Sequence, residues 1–152
     1  MARINFAFGA TERTTQACQT TLKQYLAGQK LVVYSSDLAR LRDFDQKLWK
    51  VDDAAFVPHV WSDDPLAPHT PILLVSKDLA QTLEGLSPDT WLLNLDDACP
   101  PTLGALQRVL EIVSDDPEDK EQARQRWRTY QAAGHDVKSF SLQTASRNQN
   151  QN

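Results

Sequence analysis

Glycine, cysteine and long apolar runs are all scarce in this chain of 152 residues. The five glycines, at positions 9, 28, 85, 104 and 134, are too widely spaced for a phosphate-binding loop of the G-x-G-x-x-G or G-x-x-x-x-G-K type. The two cysteines, Cys18 and Cys99, lie far apart in sequence, which favours free thiols over a disulfide framework. No apolar run approaches the roughly 20 residues that a membrane-spanning helix requires. These absences argue against a nucleotide-binding loop, a disulfide-stapled scaffold and a membrane protein.

The composition is typical of a folded globular domain. Hydrophobic residues make up 41% and charged residues 24% of the chain, as in ordinary globular proteins. The first ten residues lack the basic region, apolar stretch and cleavage site of a secretory signal. We therefore expect a soluble cytoplasmic protein with one domain over residues 1–143. Residues 144–152 are polar, and we expect them to form a disordered tail.

Charge is distributed unevenly along the chain. The net charge is −4, yet residues 120–152 carry six Lys or Arg against two Asp or Glu. An acidic body repels the phosphate backbone whose counterion release drives general nucleic-acid binding. Direct nucleic-acid binding by the whole surface is therefore not expected, whereas the basic C-terminal part could attract an acidic ligand locally.

Strand and helix signals alternate along the chain. Apolar runs predict strands at residues 4–8, 31–34, 72–75, 91–95 and 137–142. Helical spacing predicts helices at residues 14–27, 36–49, 79–86, 102–113 and 117–134, with Ser36 and Thr102 as N-caps. Segment 52–71 is rich in Pro and Asp and is predicted to be mostly loop. The pattern predicts the α/β class: a single three-layer α/β/α domain with a largely parallel central sheet, Rossmann-like but without a phosphate-binding loop.

Residues suited to nucleophilic catalysis lack the surroundings that this chemistry needs. Ser35 and Ser36 follow a predicted strand, where a nucleophile elbow would lie, but neither has the flanking glycines of that sharp turn. Cys18 and Cys99 have no His nearby in sequence and stand among apolar neighbours, which favours their burial as small hydrophobic residues. We predict no catalytic residue and no cofactor.

One loop could supply metal ligands. His59, Asp63, Asp64 and His69 lie within the Pro- and Asp-rich segment, and imidazole with carboxylate suits zinc or iron. Their spacing matches no established motif, and Asp is common in turns for its local hydrogen bonds. A solvated loop is the simpler interpretation. The alternative function, a small α/β metal-assisted hydrolase, depends on these four residues.

The helix predicted at 117–134 carries a specific pattern. Helical periodicity places four of its residues on one face, namely Lys120, Arg124, Trp127 and Arg128. Arg126 and Tyr130 lie to either side of that face. Arginine grips a carboxylate with two parallel hydrogen bonds, and an adjacent indole offers an apolar wall. The face therefore suits an acidic peptide that ends in an aromatic residue with a free carboxylate. The alternative is a surface helix whose Trp packs into the core while the basic residues are merely solvated.

Two blocks of residues resemble a known family. The first is Leu48-Trp49 followed by Phe56-Val57-Pro58-His59, and the second is the run ARQRWRTYQAAG at residues 123–134. In this order and separation, together with Ala17-Cys18, Gly28 and the run WLLNL at 91–95, they resemble the chi subunit of bacterial DNA polymerase III holoenzyme. The resemblance covers roughly residues 1–143.

This resemblance implies a non-catalytic accessory subunit of DNA replication with a nucleotide-binding-like α/β fold. Chi proteins pair with the psi subunit, which attaches them to the clamp loader. They also bind the acidic C-terminal tail of the single-stranded-DNA-binding protein, which ends in Pro-Phe. Some members bind a repair helicase through the psi-facing surface. The implied role is that of a protein–protein adaptor that contacts nucleic acid only indirectly and needs no membrane, while the nucleotidyltransferase activity belongs to another subunit.

The resemblance also implies site residues. Those that match the tail-binding positions are Val113, Lys120, Arg124 and Trp127, to which the shared helix face adds Arg128. We expect Arg124 to pair with the terminal carboxylate, Lys120 to attract the upstream Asp residues, and Val113 with Trp127 to wall the Phe pocket. On the psi-facing side we predict Trp49, Phe56, Val57 and Pro58, because exposed aromatic residues are typical interface anchors. The loop at residues 62–65 is more acidic than the resemblance implies.

Overall fold

A computed structural model describes residues 1–54 and 56–142 of the chain. The elements alternate between strands and helices as the sequence predicts. In chain order they are β1 (Arg3–Ala10), α1 (Arg13–Leu26), β2 (Leu31–Tyr34), α2 (Leu38–Trp49), β3 (His59–Trp61), a short 3-10 turn (Ala67–His69), β4 (Ile72–Val75), α3 (Leu79–Glu84), β5 (Trp91–Asn94), β6 (Arg108–Ser114), α4 (Pro117–Ala132) and β7 (Asp136–Ser141). The predicted tail at residues 144–152 lies outside the described residues.

All strands of the central sheet run parallel. Within the described residues the sheet has seven strands in the order β3-β4-β2-β5-β6-β1-β7. Every residue of β2 and β4 is buried, because helices cover both faces of the sheet. Strands buried in this way are continuous apolar runs in the sequence. The prediction of an α/β domain with a largely parallel sheet is confirmed.

Helices cover both faces of the sheet, as the three-layer prediction requires. On one face α1 and α2 pack through Ala17, Leu41 and Phe44 against sheet residues such as Val33. On the other face α3 and α4 pack through a second set of buried residues, Leu79, Leu83, Ala123 and Tyr130. Two apolar clusters therefore sandwich the sheet, and each helix has a fixed face toward it.

The prediction of a helix at 102–113 is wrong. Residues 108–114 form β6, a central strand between β5 and β1. The Thr102 hydroxyl caps no helix but accepts the Gly104 N–H within a turn, and Gly104 has a φ of +54°. A strand buried on both faces does not alternate between apolar and polar residues, so its spacing can resemble one face of a helix. Val113 accordingly lies in a strand.

Two smaller predictions also need correction. Residues 59–61, predicted to be loop, form the short strand β3, which pairs with β4 at the edge of the sheet that the structure describes. The N-cap of α2 is Asp37, whose carboxylate accepts the Arg40 N–H, whereas the Ser36 hydroxyl donates to Asp96. By contrast, the last strand is confirmed, and β7 forms the other edge of the sheet.

Both cysteines are free, as predicted. Cys18 lies in the core beneath α2, and its thiol is 3.6 Å from the Phe44 carbonyl. Cys99 is half-buried, with its thiol 3.6 Å from the Arg126 carbonyl. Burial raises the pKa of both thiols, to about 12 for Cys18 and about 11 for Cys99. Neither thiol is in an environment that favours the reactive thiolate.

No helix within the described residues is long and apolar enough to cross a bilayer.

Candidate protein-binding surfaces

The start of α4 is fixed to the end of β6. Pro117 occupies the first turn, where its missing N–H costs no hydrogen bond, and Glu118 and Asp119 suit the positive end of the helix dipole. The Asp119 carboxylate also accepts the Ser114 N–H at 2.7 Å and the Ser114 hydroxyl at 2.8 Å. This contact sets the position of the helix relative to the last residue of the strand.

The sheet-facing side of α4 carries Arg126, which helical spacing predicted to lie beside the exposed face. Arg126 is fully buried, and its Nε donates to Glu111 Oε1 at 3.1 Å. Glu111, buried in β6, also accepts the Tyr130 hydroxyl at 2.6 Å and the Asn94 amide at 2.8 Å. Burial, reinforced by the Glu111 charge, raises the pKa of Tyr130, so the phenol remains a donor. These contacts fix which side of α4 points away from the sheet.

The outer side of α4 presents three exposed cations. Lys120, Arg124 and Arg128 are all exposed, and within residues 1–54 and 56–142 the ion-pair partner of Arg124 is Glu121 on its own helix, at 3.1 Å. Trp127 is half-buried, with its ring centroid 5.1 Å from that of Phe6 in the second cluster. The indole therefore packs on the core, as the alternative interpretation of this helix expects, while binding of a peptide by this face stays a prediction.

Phe8 extends this area, although the sequence pattern did not lead us to predict it as a site residue. It is 45% exposed, pairs in register with Val113 of β6, and by strand alternation lies on the same face as Phe6. Val113 itself is buried in the second cluster, against which Trp127 also packs. The alternation of Ile4, Phe6 and Phe8 was the signal available in the sequence. We call Phe8, Val113, Lys120, Arg124, Trp127 and Arg128 the α4 surface.

A second exposed patch lies on the opposite face of the sheet, at its β3 edge. Trp49 is 49% exposed and Phe56 is 65% exposed, with their ring centroids 5.2 Å apart. Trp49 also lies against the His59 ring, at 4.2 Å. Pro58 is half-buried. We call Trp49, Phe56 and Pro58 the α2 surface.

Val57, predicted as part of this patch, contributes differently. It is only 2% exposed and packs in the first cluster, so its side chain supports the α2 surface from below. Its carbonyl oxygen lies 2.8 Å from His59 Nδ1. The other ring nitrogen of His59 is 2.8 Å from Asp45 Oδ1, so the ring is held from both ends and provides a firm base for Trp49.

The metal site considered in the sequence is not assembled. Both ring nitrogens of His59 have partners, and Asp64 accepts the Leu66 N–H in a turn. Asp63 and His69 are exposed side chains on the loop and the 3-10 turn. In the part of the chain that the structure describes, no group of three or more His, Cys, Asp or Glu could hold a metal ion. The metal-assisted hydrolase alternative therefore has no site among these residues.

The carboxyl edge of the sheet, where α/β proteins often bind ligands, is filled by Arg13. Its guanidinium donates to four strand-end carbonyls, those of Asn94, Leu95, Asp96 and Ile112, at 2.9–3.3 Å. The remaining space there, about 410 Å³, is lined by Glu12, Asp97, Asp116, Glu118 and Asp119 among others. The five carboxylates outnumber the two arginines that line the crevice, Arg13 and Arg40, and would repel a phosphate, so this crevice does not suit a nucleotide.

Comparisons with known proteins cover nearly the whole described chain. A family model described as DNA polymerase III chi subunit, HolC, matches residues 1–138. The chain is 24% identical over 146 residues to DNA polymerase III subunit chi of Pseudomonas aeruginosa, covering 93% of this chain and 98% of that protein. It is 25% identical over 128 residues to DNA polymerase III subunit chi of Haemophilus influenzae, covering 83% of this chain and 85% of the relative. The matched length includes both the α4 surface and the α2 surface.

Proposed function

Since the chain belongs to the DNA polymerase III chi subunit family, which comprises non-catalytic accessory subunits of the replicative holoenzyme, we propose that it acts there as an adaptor between two proteins. The α4 surface binds the acidic C-terminal tail of the single-stranded-DNA-binding protein. The α2 surface binds the psi subunit and so attaches the chain to the clamp loader, and a repair helicase is a further candidate for the same surface. This role implies a cytoplasmic protein that contacts DNA only through its partners.

The observation that carries the proposal for the tail is the arrangement of charge around Trp127. Helical spacing places three exposed cations, Lys120, Arg124 and Arg128, on the same side of α4 as a half-buried indole, on a chain whose net charge is −4. The concentration of positive charge on one helix face of an acidic protein favours an acidic ligand. A terminal carboxylate can accept two hydrogen bonds from the Arg124 fork, while an aromatic side chain can pack against Phe8 and Trp127.

Support for the second surface comes from its aromatic residues. Trp49 and Phe56 are large, exposed and in mutual contact, and aromatic residues are enriched among the anchors of protein interfaces. Because Trp49 is also packed on His59, its ring loses little conformational freedom on binding. The two surfaces lie on opposite faces of the sheet, so one partner does not obstruct the other.

A calorimetric titration tests the tail proposal directly. The protein is titrated with a peptide that copies the acidic tail and ends in Pro-Phe, and with the same peptide lacking its last Phe. We expect binding around micromolar, roughly −8 kcal/mol, for the first peptide and none that is measurable for the second. A peptide with an amidated C-terminus serves as the control for the carboxylate. The proposed recognition of the terminal Phe would be refuted if all three peptides bound equally well, or if none of them bound.

A further inference from the structure

A long groove lies beside α1, on the face of the sheet opposite α4. It measures about 630 Å³, and Ala7, Leu110 and Ile112 contribute to its apolar floor. Leu26 of α1 is exposed on one side, and Phe140 of β7 is 44% exposed on the other. Exposed apolar residues on both sides of a concave surface are typical of a binding site.

At Asn5 and Arg108 the groove adjoins a smaller depression of about 300 Å³, which Arg3 and Lys138 also line and which forms its basic end. Arg3 and Arg108 are paired in register on β1 and β6, and Asn5 in the next row pairs with Lys138 of β7. Lys23 of α1 lines the groove from the other side. Asp136, 3.9 Å from Lys138, offsets one of these charges, and Asp89 lies in the adjoining depression. Cations remain in excess over carboxylates, although the protein as a whole is acidic.

Arg108 is prepared for an anionic partner. Its guanidinium lies 4.2 Å over the centre of the Trp91 ring, and such stacking fixes the plane of the fork. Its Nε is buried and has no hydrogen-bond partner among the described residues. A buried donor without a partner costs free energy, so a small rotation of the guanidinium that let Nε donate to a ligand oxygen would remove an existing penalty.

The C-terminal residues of the chain are a poor match for this groove. The ten residues after Leu142 include one charged residue, Arg147, and no apolar residue larger than Ala145. Arg147 has the same sign of charge as the basic end, and the side chains of this segment cannot fill the apolar part. The chemistry of the groove instead requires negative charge next to an aliphatic side chain.

We propose that the groove between α1 and β7 binds an internal acidic peptide segment of a partner protein. An aliphatic side chain of the segment packs between Leu26 and Phe140, and its carboxylates pair with Arg108, Arg3 and Lys138. This site goes beyond the proposed function, because it lies on the other face of the sheet from the α4 surface and does not need a free C-terminus. It provides a third contact for a protein partner.

An NMR titration with a capped peptide tests the site. The probe is the hexapeptide DDLIDE with an acetylated N-terminus and an amidated C-terminus, so that it lacks the terminal carboxylate expected at the α4 surface. We expect the indole resonance of Trp91 and the backbone resonances near Phe140 to shift. Arg108→Gln and Lys138→Gln should each weaken binding at least about fivefold. Lys77→Gln, which removes an exposed cation elsewhere, should leave the affinity unchanged.

Several results would overturn the proposal. One is the absence of shifts at Trp91 and Phe140 at millimolar peptide. Another is equal binding of the neutral peptide NNLIQQ, which would make the cations irrelevant. Displacement of the peptide by oligo-dT would assign the groove to single-stranded nucleic acid, and shifts that depend on protein concentration alone would assign it to a second copy of the chain. Loss of binding on Arg124→Gln would place the peptide on the α4 surface, whereas retained binding separates the two sites.

Discussion

Arg126 of α4 and Glu111 of β6 form an ion pair in the interior, with 3.1 Å between Nε and Oε1 and both side chains at most 1% exposed. The same carboxylate accepts hydrogen bonds from Tyr130 and Asn94, so the charge of Glu111 is well compensated. Because Arg126 and Tyr130 are one turn apart on α4, these contacts set the rotation of the helix about its axis. The pair therefore determines that Lys120, Arg124 and Arg128 point outward.

Removal of Arg126 should destabilise the fold strongly. We expect Arg126→Met to lower the free energy of unfolding by about 3 kcal/mol, because the buried Glu111 carboxylate would lose its nearest charged partner and keep the more distant Arg13 guanidinium, 3.6 Å away. Urea denaturation measures the difference. Arg124→Met on the same helix is the matched control and should change stability by no more than about 0.5 kcal/mol. If the two variants had similar stability, the buried pair would not be what holds α4.

Arg124 should dominate binding of the acidic tail. We expect Arg124→Ala to weaken binding by at least about 2 kcal/mol, some thirtyfold, because the terminal carboxylate would lose its partner. Calorimetry with the Pro-Phe peptide measures the change. Arg42→Ala, an exposed arginine on α2, should have no effect. Glu121→Gln, which releases Arg124 from its ion pair, should not reduce affinity, and an unchanged affinity for a folded Arg124→Ala would remove Arg124 from the site.

Tail binding should depend on ionic strength. Lys120, Arg124 and Arg128 are exposed, and interactions between exposed charges are screened as the Debye length shortens from about 10 Å at 0.1 M salt to about 3 Å at 1 M. Affinity should therefore fall steadily over this range, as measured by fluorescence anisotropy with a labelled peptide. A salt-independent isotherm would show that the three cations do not contribute.

The α2 surface should be independent of the α4 surface. We expect Trp49→Ala and Phe56→Ala each to weaken binding of psi by at least about 2 kcal/mol, while binding of the tail peptide stays unchanged. Co-purification and calorimetry with psi measure the first effect. Leu66→Ala, another exposed apolar residue, is the control. Trp49 would be shown to act through the core if Trp49→Ala lost binding of both psi and the tail peptide while Phe56→Ala retained both.

Cys99 should react slowly in the folded protein. Burial raises the pKa of its thiol from 9.0 to about 11, which lowers the thiolate fraction at pH 8 by about a hundredfold. Alkylation by iodoacetamide, followed by mass spectrometry, should be slower by at least that factor than in urea. The raised pKa also stabilises the fold below pH 9, and this contribution should be lost as the pH rises from about 9 to 11. Rapid alkylation at pH 8 would contradict the burial.

Local signals in the sequence located much of the fold. The apolar run at 31–34 corresponds residue for residue to β2, and Pro117 marks the first residue of α4. β6 was misassigned because a strand buried on both faces lacks the alternation of apolar and polar residues, and because Glu111 interrupts its apolar run. The charge of Glu111 is neutralised by Arg126, fifteen positions along the chain. No local sequence pattern reveals this contact. β3 was not predicted because it is a strand of three residues at the edge of the sheet, too short to show a strand pattern.

The candidate surfaces were predicted only in part, for a related reason. Helical spacing gave the relative positions of Lys120, Arg124 and Trp127, but not which side of α4 faces the sheet. That orientation depends on the Glu111 contact, so Arg126 was assigned beside the exposed face although it is buried. Phe8 joins the area through strand pairing with Val113, which relates residues about a hundred positions apart.

The separation of the α2 and α4 surfaces across the sheet has a mechanical consequence. Trp49 packs on His59 of β3, and Trp127 packs on Phe6 of β1, with four strands between them in the sheet order. At about 4.8 Å per strand, the two contacts are roughly 24 Å apart along the direction of the backbone hydrogen bonds. Tension between partners held at these two surfaces would therefore pull the strands apart sideways, and the interstrand ladders would carry that force in series.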